Sequence, residues 1–237
     1  MTRTVVLLTP VEEFVDLAQK VRAIDSTCDI QYAETEKQLR DRTKDFQLHD
    51  RLIMFATPVI VPADILDGLP TPAYNFHNGP PEYPGLFPAC FAIYNGAVNF
   101  GATLHEVTKE VDQGPIVGVE MSAISPKIKR INLEGLSRIL LARLLKRMLP
   151  VILDKVLRPT RLDIEWSKTV TRKPDFDALC RLPENVDQAE FERRLRAVGE
   201  GPYHALRAPI HDRWFRLEPL DNAGPVTKGG RVVDDQK

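Results

Sequence analysis

Eight prolines between residues 58 and 88 limit what this 237-residue chain can fold into. Proline has no backbone N–H and clashes with the preceding helical turn, so neither a long helix nor a central strand can run through such a stretch. The one gap with a convincing strand pattern is AYNFHN, residues 73–78. The sequence therefore predicts a short strand followed by a stiff loop.

Short apolar runs alternate with helical patterns before the prolines. TVVLL (4–8), CDIQYAE (28–34) and RLIMFA (51–56) are typical of strands. The segment VEEFVDLAQKVRAI has apolar residues at helical spacing, and KQLRDRTKDFQL is a less periodic helix. This alternation is typical of β-α-β units, so we predict an α/β fold with a mostly parallel central sheet and helices on both faces.

The pattern of the second half of the chain predicts a main domain over residues 1–160, followed by a smaller extension. GATLHEV and IVGVEM are expected to be strands, and a long helix is expected from about Asn132 to Val156, with Asn132 as its N-cap. Residues 161–225 are expected to form a small C-terminal extension containing the helix QAEFERRLRAV and a β-hairpin. Residues 226–237 are expected to be a flexible tail.

Composition argues against several classes of function. The formal net charge is −1, which provides no long-range attraction for nucleic acid or an anionic membrane. The three cysteines are far apart and predict neither a disulfide framework nor a metal site. The first apolar run is too short for a signal peptide or a membrane span, and we expect a cytoplasmic protein.

The strand within the prolines places two polar side chains together. Asn75 and His77 are two residues apart and project from the same face of an extended segment. Such a pair alone fits a turn cap and a core histidine. Asp112, in the turn VDQG, supplies a third polar group that Gly114 could help bring back towards the strand ends.

An amide, an imidazole and a carboxylate around one cleft suit acyl transfer without a protein nucleophile. The amide stabilises an oxyanion, the imidazole hydrogen-bonds or shuttles a proton, and the carboxylate orients the imidazole and helps remove the proton of an incoming amine. We therefore expect Asn75, His77 and Asp112 to be catalytic. His105, two residues after Thr103, is expected to border the site in a structural role.

An ordered set of motifs resembles the formyltransferases that use N10-formyltetrahydrofolate. The set comprises Asn75-Phe76-His77, Pro84-Gly85, Ala92-Ile93-Tyr94-Asn95-Gly96, Gly101-Ala102-Thr103-Leu104-His105 and Asp112-Gln113-Gly114. The resemblance implies a Rossmann-like formyltransferase fold and the same catalytic trio. It also implies that the folate cosubstrate is bound mainly through backbone groups of Thr57, Pro58, Val59, Ile60, Thr108 and Glu110.

NFH followed by PPEYPG is most similar to the sugar N-formyltransferases within this family. The resemblance implies transfer of a formyl group to the amine of a nucleotide-linked 4-amino-4,6-dideoxy sugar for surface polysaccharide (O-antigen), and possible homodimers. Asn78 stands where we expect a proline. Candidates for binding the sugar nucleotide include the cations Lys127, Lys129 and Arg130 and the aromatic residues Tyr83, Tyr94 and Trp214.

Other functions remain open at this stage. Glycinamide ribonucleotide is a less favoured acceptor because TPVEEF replaces a glycine-rich phosphate loop after the first strand. Methionyl-tRNA is disfavoured by the short tail and the absence of a basic excess. A formyltetrahydrofolate hydrolase would use water in place of the amine. A folate-binding protein without turnover would have no physical need for the carboxylate beside the imidazole.

Overall fold

The computed structural model describes residues 2–199, 206–211 and 213–217. It has the expected mixed α/β architecture with a C-terminal hairpin. The strands are β1 (Thr4–Leu8), β2 (Asp29–Ala33), β3 (Arg51–Phe55), β4 (Tyr74–His77), β5 (Asn99–Glu106), β6 (Ile116–Ala123), β7 (Arg207–Ile210) and β8 (Arg213–Arg216). The helices are α1 (Val11–Ile24), α2 (Glu36–Thr43), α3 (Ala63–Gly68), α4 (Pro88–Tyr94), α5 (Arg130–Ile152), α6 (Lys173–Leu179) and α7 (Gln188–Val198).

The central sheet has the strand order β2-β1-β3-β4-β5-β6. The first four strands along the chain are parallel, whereas β5 and β6 are antiparallel to their neighbours. Three of the five strand pairings are parallel, so the central sheet is mostly parallel, as predicted. β4 lies at the change from parallel to antiparallel pairing.

Each face of the sheet packs on its own helices. In β1, Val5 and Leu7 project towards α1 and α5. Val6 and Leu8 project towards the opposite face, where α2 and α3 pack. β4 follows the same alternation: Tyr74 and Phe76 lie in the core with α5 and are almost fully buried. Its polar residues consequently project from the other face.

A further apolar cluster connects the two predicted domains. It contains residues of α4 and the first turn of α5 together with residues of α6, α7 and the segment before β7. Phe87, just before α4, stacks on Phe176 of α6 with ring centroids 3.8 Å apart. The C-terminal helices thus share a core with the region that carries the site.

Several expected boundaries differ from the structure. The long helix begins at Arg130 with Lys129 in the capping position, so the prediction that Asn132 caps it is wrong. The helix therefore begins two residues before the expected start, and it ends at Ile152 instead of about Val156. The short helices α3 and α6 were not predicted. The hairpin expected near residue 211 is β7–β8, while the predicted tail, 226–237, lies outside the described residues.

Across the ranges that the structure describes, no helix combines the length and the apolar character needed to cross a bilayer.

Candidate active site

The antiparallel pairing of β4 with β5 brings four polar side chains onto one sheet face. Asn75 lies opposite His105, and His77 lies opposite Thr103. Residues that are directly paired across two strands project from the same face. The proline-containing loop (78–87), the loop after β5 and a segment after α5 contact these side chains.

Asp112 reaches this group from the loop between β5 and β6. Its φ of 46° is in the left-handed region, which aspartate tolerates better than most residues. Gly114 is needed nearby, since a Cβ there would lie 1.8 Å from the Glu106 carbonyl oxygen. The loop therefore folds back, and the Asp112 carboxylate lies 3.2 Å from His77 Nδ1 and 3.2 Å from His105 Nε2.

The proline-containing loop fixes both His77 and Asp112. His77 Nε2 lies 3.0 Å from the Tyr83 carbonyl oxygen, and the Gly85 N–H donates to Asp112 Oδ2 at 2.9 Å. Gly85 has a φ of 93°, as the predicted Pro84-Gly85 turn requires. Both His77 nitrogens therefore face acceptors, which an imidazolium can satisfy simultaneously and a neutral ring cannot.

Burial and charge act in opposite directions on these groups. Burial lowers the pKa of His77 below its ordinary value of 6.5, against the attraction of Asp112. Burial alone would raise the pKa of Asp112. A hydrogen bond with His105, the charges of His77 and His105, and the Gly85 N–H outweigh burial and lower this pKa to about 2. At neutral pH, the resting site therefore holds a carboxylate beside a neutral His77.

Asn75 completes the cluster. Its side-chain Nδ2 lies 3.1 Å from His105 Nε2 and 3.4 Å from Asp112 Oδ1. The second distance exceeds the usual range for an N–H···O hydrogen bond, so one amide hydrogen is held only weakly. His105 is itself fixed by its Nδ1, which lies 2.8 Å from the Glu106 carbonyl oxygen. The structure thus brings the three expected catalytic residues together, with His105 at the border of the site, where it is expected.

A cleft of about 980 Å³ opens over this cluster. Every expected cosubstrate-binding residue lines it: Thr57, Pro58, Val59, Ile60, Thr108 and Glu110. Ile60 and Val111 are exposed apolar side chains in this wall. The Val59 N–H is within 3.2 Å of the Thr57 hydroxyl, and Pro58 contributes no N–H. An apolar wall edged by backbone groups fits a flat heterocycle such as a pterin.

A further part of the cleft lining, Lys168, Val170, Thr171 and Arg172, comes from the segment 161–172, which we call the strap. The strap begins near β6, where the Leu162 N–H donates to the Ile116 carbonyl. It ends against the proline-containing loop. There the Leu86 N–H donates to the Thr171 carbonyl, the Thr171 N–H donates to the Pro84 carbonyl, and the Thr171 hydroxyl donates to the carbonyls of Pro84 and Leu86. A Cβ at Gly85 would lie 2.1 Å from the Thr171 carbonyl oxygen, so the contact also requires glycine.

Trp166 of the strap packs on both imidazoles. Its ring meets those of His77 and His105 edge to face, with centroids 5.7 and 5.1 Å away. Its Nε1–H donates to the Gly114 carbonyl at 2.7 Å, which fixes the ring over the loop that carries Asp112. Sequence reasoning did not identify Trp166, because no periodicity or motif connects it with β4.

The three cations that the sequence offers as candidates for binding a sugar nucleotide do not line this cleft. Arg130 is buried and paired with Glu134 at 2.5 Å. Lys127 and Lys129 line a separate groove beside α7. The aromatic candidates Tyr83, Tyr94 and Trp214 are also absent from the cleft lining, whereas Lys168 and Arg172 of the strap are present.

The fold and the cluster together define a class of enzyme. In this α/β protein, an amide, an imidazole and a carboxylate meet in an open cleft. The described residues that line the cleft include no serine or cysteine nucleophile. Such a site is suited to acyl transfer between two bound substrates. Residues 31–135 match the family model described as formyl transferase. Over these 105 of the 237 residues, the chain is similar to the formyltransferase family, and the match supports an enzyme that transfers formyl groups.

Solved structures share this fold over nearly the whole chain. A sugar N-formyltransferase from Shewanella is 19% identical, with a TM-score of 0.75, and the match covers 94% of this chain and 99% of that one. A 4-N formyltransferase from Francisella tularensis is 17% identical, with a TM-score of 0.71, and the match covers 93% of this chain and 99% of that one. An N-formyltransferase from Helicobacter canadensis, in complex with folinic acid and dTDP-3-aminofucose, is 14% identical. Its TM-score is 0.66, and the match covers 91% of this chain and 86% of that one. These likenesses show the fold alone.

Proposed function

We propose that this enzyme transfers the formyl group of N10-formyltetrahydrofolate to the amino group of a nucleotide-linked amino-deoxy sugar. The observation that carries the proposal is the convergence of Asn75, His77 and Asp112 on the floor of a cleft large enough for two substrates. The Helicobacter canadensis enzyme, which binds folinic acid and a nucleotide-linked amino sugar, supports this choice of substrates.

In this reaction, Asn75 serves as the oxyanion donor. Attack of the acceptor amine on the formyl carbon places negative charge on the formyl oxygen. Asn75 Nδ2 lies 3.4 Å from Asp112 Oδ1, and the hydrogen that it directs towards this carboxylate is the one available for the formyl oxygen. Because His105 Nε2 lies 3.1 Å from the same Asn75 nitrogen, the amide keeps its orientation while it binds the oxyanion.

Asp112 and His77 handle the proton of the attacking amine. Asp112 is ionised and His77 is neutral at rest, so the pair can take up one proton as the amine becomes an amide. The imidazolium formed in this way has acceptors on both nitrogens, the Asp112 carboxylate and the Tyr83 carbonyl. The same proton is then available for the nitrogen that leaves the formyl group.

The cosubstrate lies on the wall formed by Thr57, Pro58, Val59, Ile60, Thr108 and Glu110, which exposes apolar side chains and backbone groups to the cleft. We extend the proposal to surface polysaccharide synthesis, including O-antigen, by a cytoplasmic enzyme that acts as a homodimer. These finer assignments follow from the choice of acceptor and are tested with it.

The test is an assay with N10-formyltetrahydrofolate and a panel of nucleotide-linked amino sugars, which follows tetrahydrofolate formation and the mass of the sugar. A gain of one formyl group by the sugar, absent in Asn75→Ala, is the expected result. Tetrahydrofolate and formate without a formylated sugar would instead indicate hydrolysis. Formylation of glycinamide ribonucleotide or methionyl-tRNA in preference to every sugar would overturn the acceptor class.

A further inference from the structure

The strap presents a repeating pattern to the cleft. Lys168, Val170 and Arg172 alternate along the extended segment, and all three line the cleft. Between the last two, the Thr171 side chain bonds the proline-containing loop at the carbonyls of Pro84 and Leu86. The part of the strap that lines the cleft therefore presents two cations and one apolar side chain, together with Thr171.

The two cleft-facing cations differ from their neighbours in their ion pairing. Arg161, earlier in the strap, pairs with Glu106 at 2.7 Å, and Lys173, just after it, pairs with Asp177. Lys109, which also lines the cleft, pairs with Asp67 at 3.0 Å. Within the ranges that the structure describes, neither Lys168 nor Arg172 forms an ion pair with a carboxylate. Their charge is therefore available to an anionic ligand in the cleft.

The position of this pair separates it from the wall assigned to the cosubstrate. That wall comes from the segments after β3 and β5, whereas the end of the strap that carries the two cations is bonded to the proline-containing loop. The catalytic cluster contacts both of these parts through Asp112, which follows the first wall, and Trp166, which belongs to the strap. A second substrate would thus lie along the strap with its reacting amine towards Asp112.

We propose that Lys168 and Arg172 bind the diphosphate of the acceptor, with Val170 between them as an apolar contact. The inference rests on the proposed function and deepens it, because it assigns the acceptor's anionic group to the strap and not to the basic loop of residues 127–130. Phosphate oxygens accept charge-assisted hydrogen bonds from both side chains, and the guanidinium of Arg172 can bind two oxygens at once.

The experiment compares the double variant Lys168→Gln/Arg172→Gln with Arg143→Gln/Lys146→Gln. The second pair lies exposed on α5 outside the cleft and removes the same charge. Steady-state kinetics with the acceptor found by the panel would measure the KM for each substrate and kcat. We expect the double cleft variant to raise the acceptor KM about 100-fold, about tenfold for each cation removed, with kcat and the folate KM nearly unchanged. The α5 variant should resemble the unmodified enzyme.

A binding measurement keeps this inference separate from the proposed reaction. Calorimetric titration with dTDP, UDP and inorganic pyrophosphate should show affinity that falls in the cleft variant and persists in the α5 variant. If no sugar is formylated but this loss is seen, the proposed function fails and the anion site stands. Equal weakening in both variants, unchanged binding and acceptor KM in the cleft variant, or a rise in the folate KM instead of the acceptor KM would each overturn the site.

Discussion

At the residue scale, Asp112 connects the three parts of the site. It contacts His77 and His105 of the sheet and accepts from Gly85 of the proline-containing loop. Asp112→Asn keeps the shape and tolerates the left-handed backbone, but it removes the charge. We expect kcat to fall about 10²- to 10⁴-fold because the amine proton loses its acceptor. Single-turnover formyl transfer measures this loss.

Folding must be monitored in the same variant. Circular dichroism and a cooperative thermal transition like that of the unmodified protein would show that Asp112→Asn remains folded. Turnover within threefold of the unmodified enzyme in such a folded variant would contradict the role proposed for the carboxylate.

His77 predicts a pH dependence of stability with a definite sign. Burial lowers its pKa in the folded state below 6.5, so the unfolded chain takes up the proton first as the pH falls. The free energy of unfolding should therefore decrease from about pH 6.5 downward, by at most about 1.4 kcal/mol per pH unit for this one group. Below the folded pKa of His77, this contribution stops changing.

Urea unfolding between pH 7 and pH 5 of the unmodified protein and of His77→Gln isolates this effect, because the other four histidines are common to both. The slope with pH should be smaller in the variant. Asp112 affects the stability in a lower pH range. Its pKa is about 2, so its stabilising effect is lost only as the pH falls below 3.8, the ordinary pKa of an aspartate. Parallel curves above pH 5 would contradict the assigned burial effect.

At the element scale, the strap is the part of the site that the sequence did not predict. Asn75, His77 and Asp112 could be predicted because β4 imposes a period of two and because the motifs stand in a recognisable order. Trp166 lies 89 residues after His77 along the chain and meets it only because the strap crosses the sheet face. Contacts of such sequence separation leave no periodic signal. His105, by contrast, is expected at the border of the site from its spacing to Thr103, and the pairing of β5 with β4 places it there.

Trp166 predicts a change in the pH profile that simple loss of stability would not cause. Trp166→Ala admits water to His77, whose pKa should rise towards 6.5 because desolvation is its largest lowering effect. The acidic limb of kcat against pH should then move to higher pH, and kcat should fall roughly 10- to 100-fold as the imidazoles lose their support. Stopped-flow or steady-state rates from pH 5 to 9 measure both.

Trp166→Phe is the matched control for this element. It keeps an aromatic ring against the imidazoles but loses the Nε1–H that donates to the Gly114 carbonyl. We expect the phenylalanine variant to retain the acidic limb of the unmodified enzyme and to recover most of kcat. An unchanged limb in Trp166→Ala would show that the tryptophan does not desolvate His77.

At the scale of the whole molecule, the division into residues 1–160 and 161–225 stays a prediction, and the packing bears on how the two parts unfold. The apolar cluster that contains Phe87, Leu133 and Phe176 takes residues from both sides of residue 160. A core that is shared in this way couples the two parts energetically. The strap adds hydrogen bonds between the same parts directly over the cleft.

We therefore expect one cooperative unfolding transition for the whole chain, destabilised throughout by Phe176→Ala. Phe176 is 4% exposed and stacks on Phe87, so its truncation should cost about 3–5 kcal/mol. Scanning calorimetry should show a single peak, with equal calorimetric and van't Hoff enthalpies, that moves to lower temperature in this variant. Ile139→Ala, at a position 52% exposed on α5, should leave the peak almost unmoved. Two separate peaks, of which only one responds to Phe176→Ala, would instead mean that the catalytic region folds independently of the C-terminal helices.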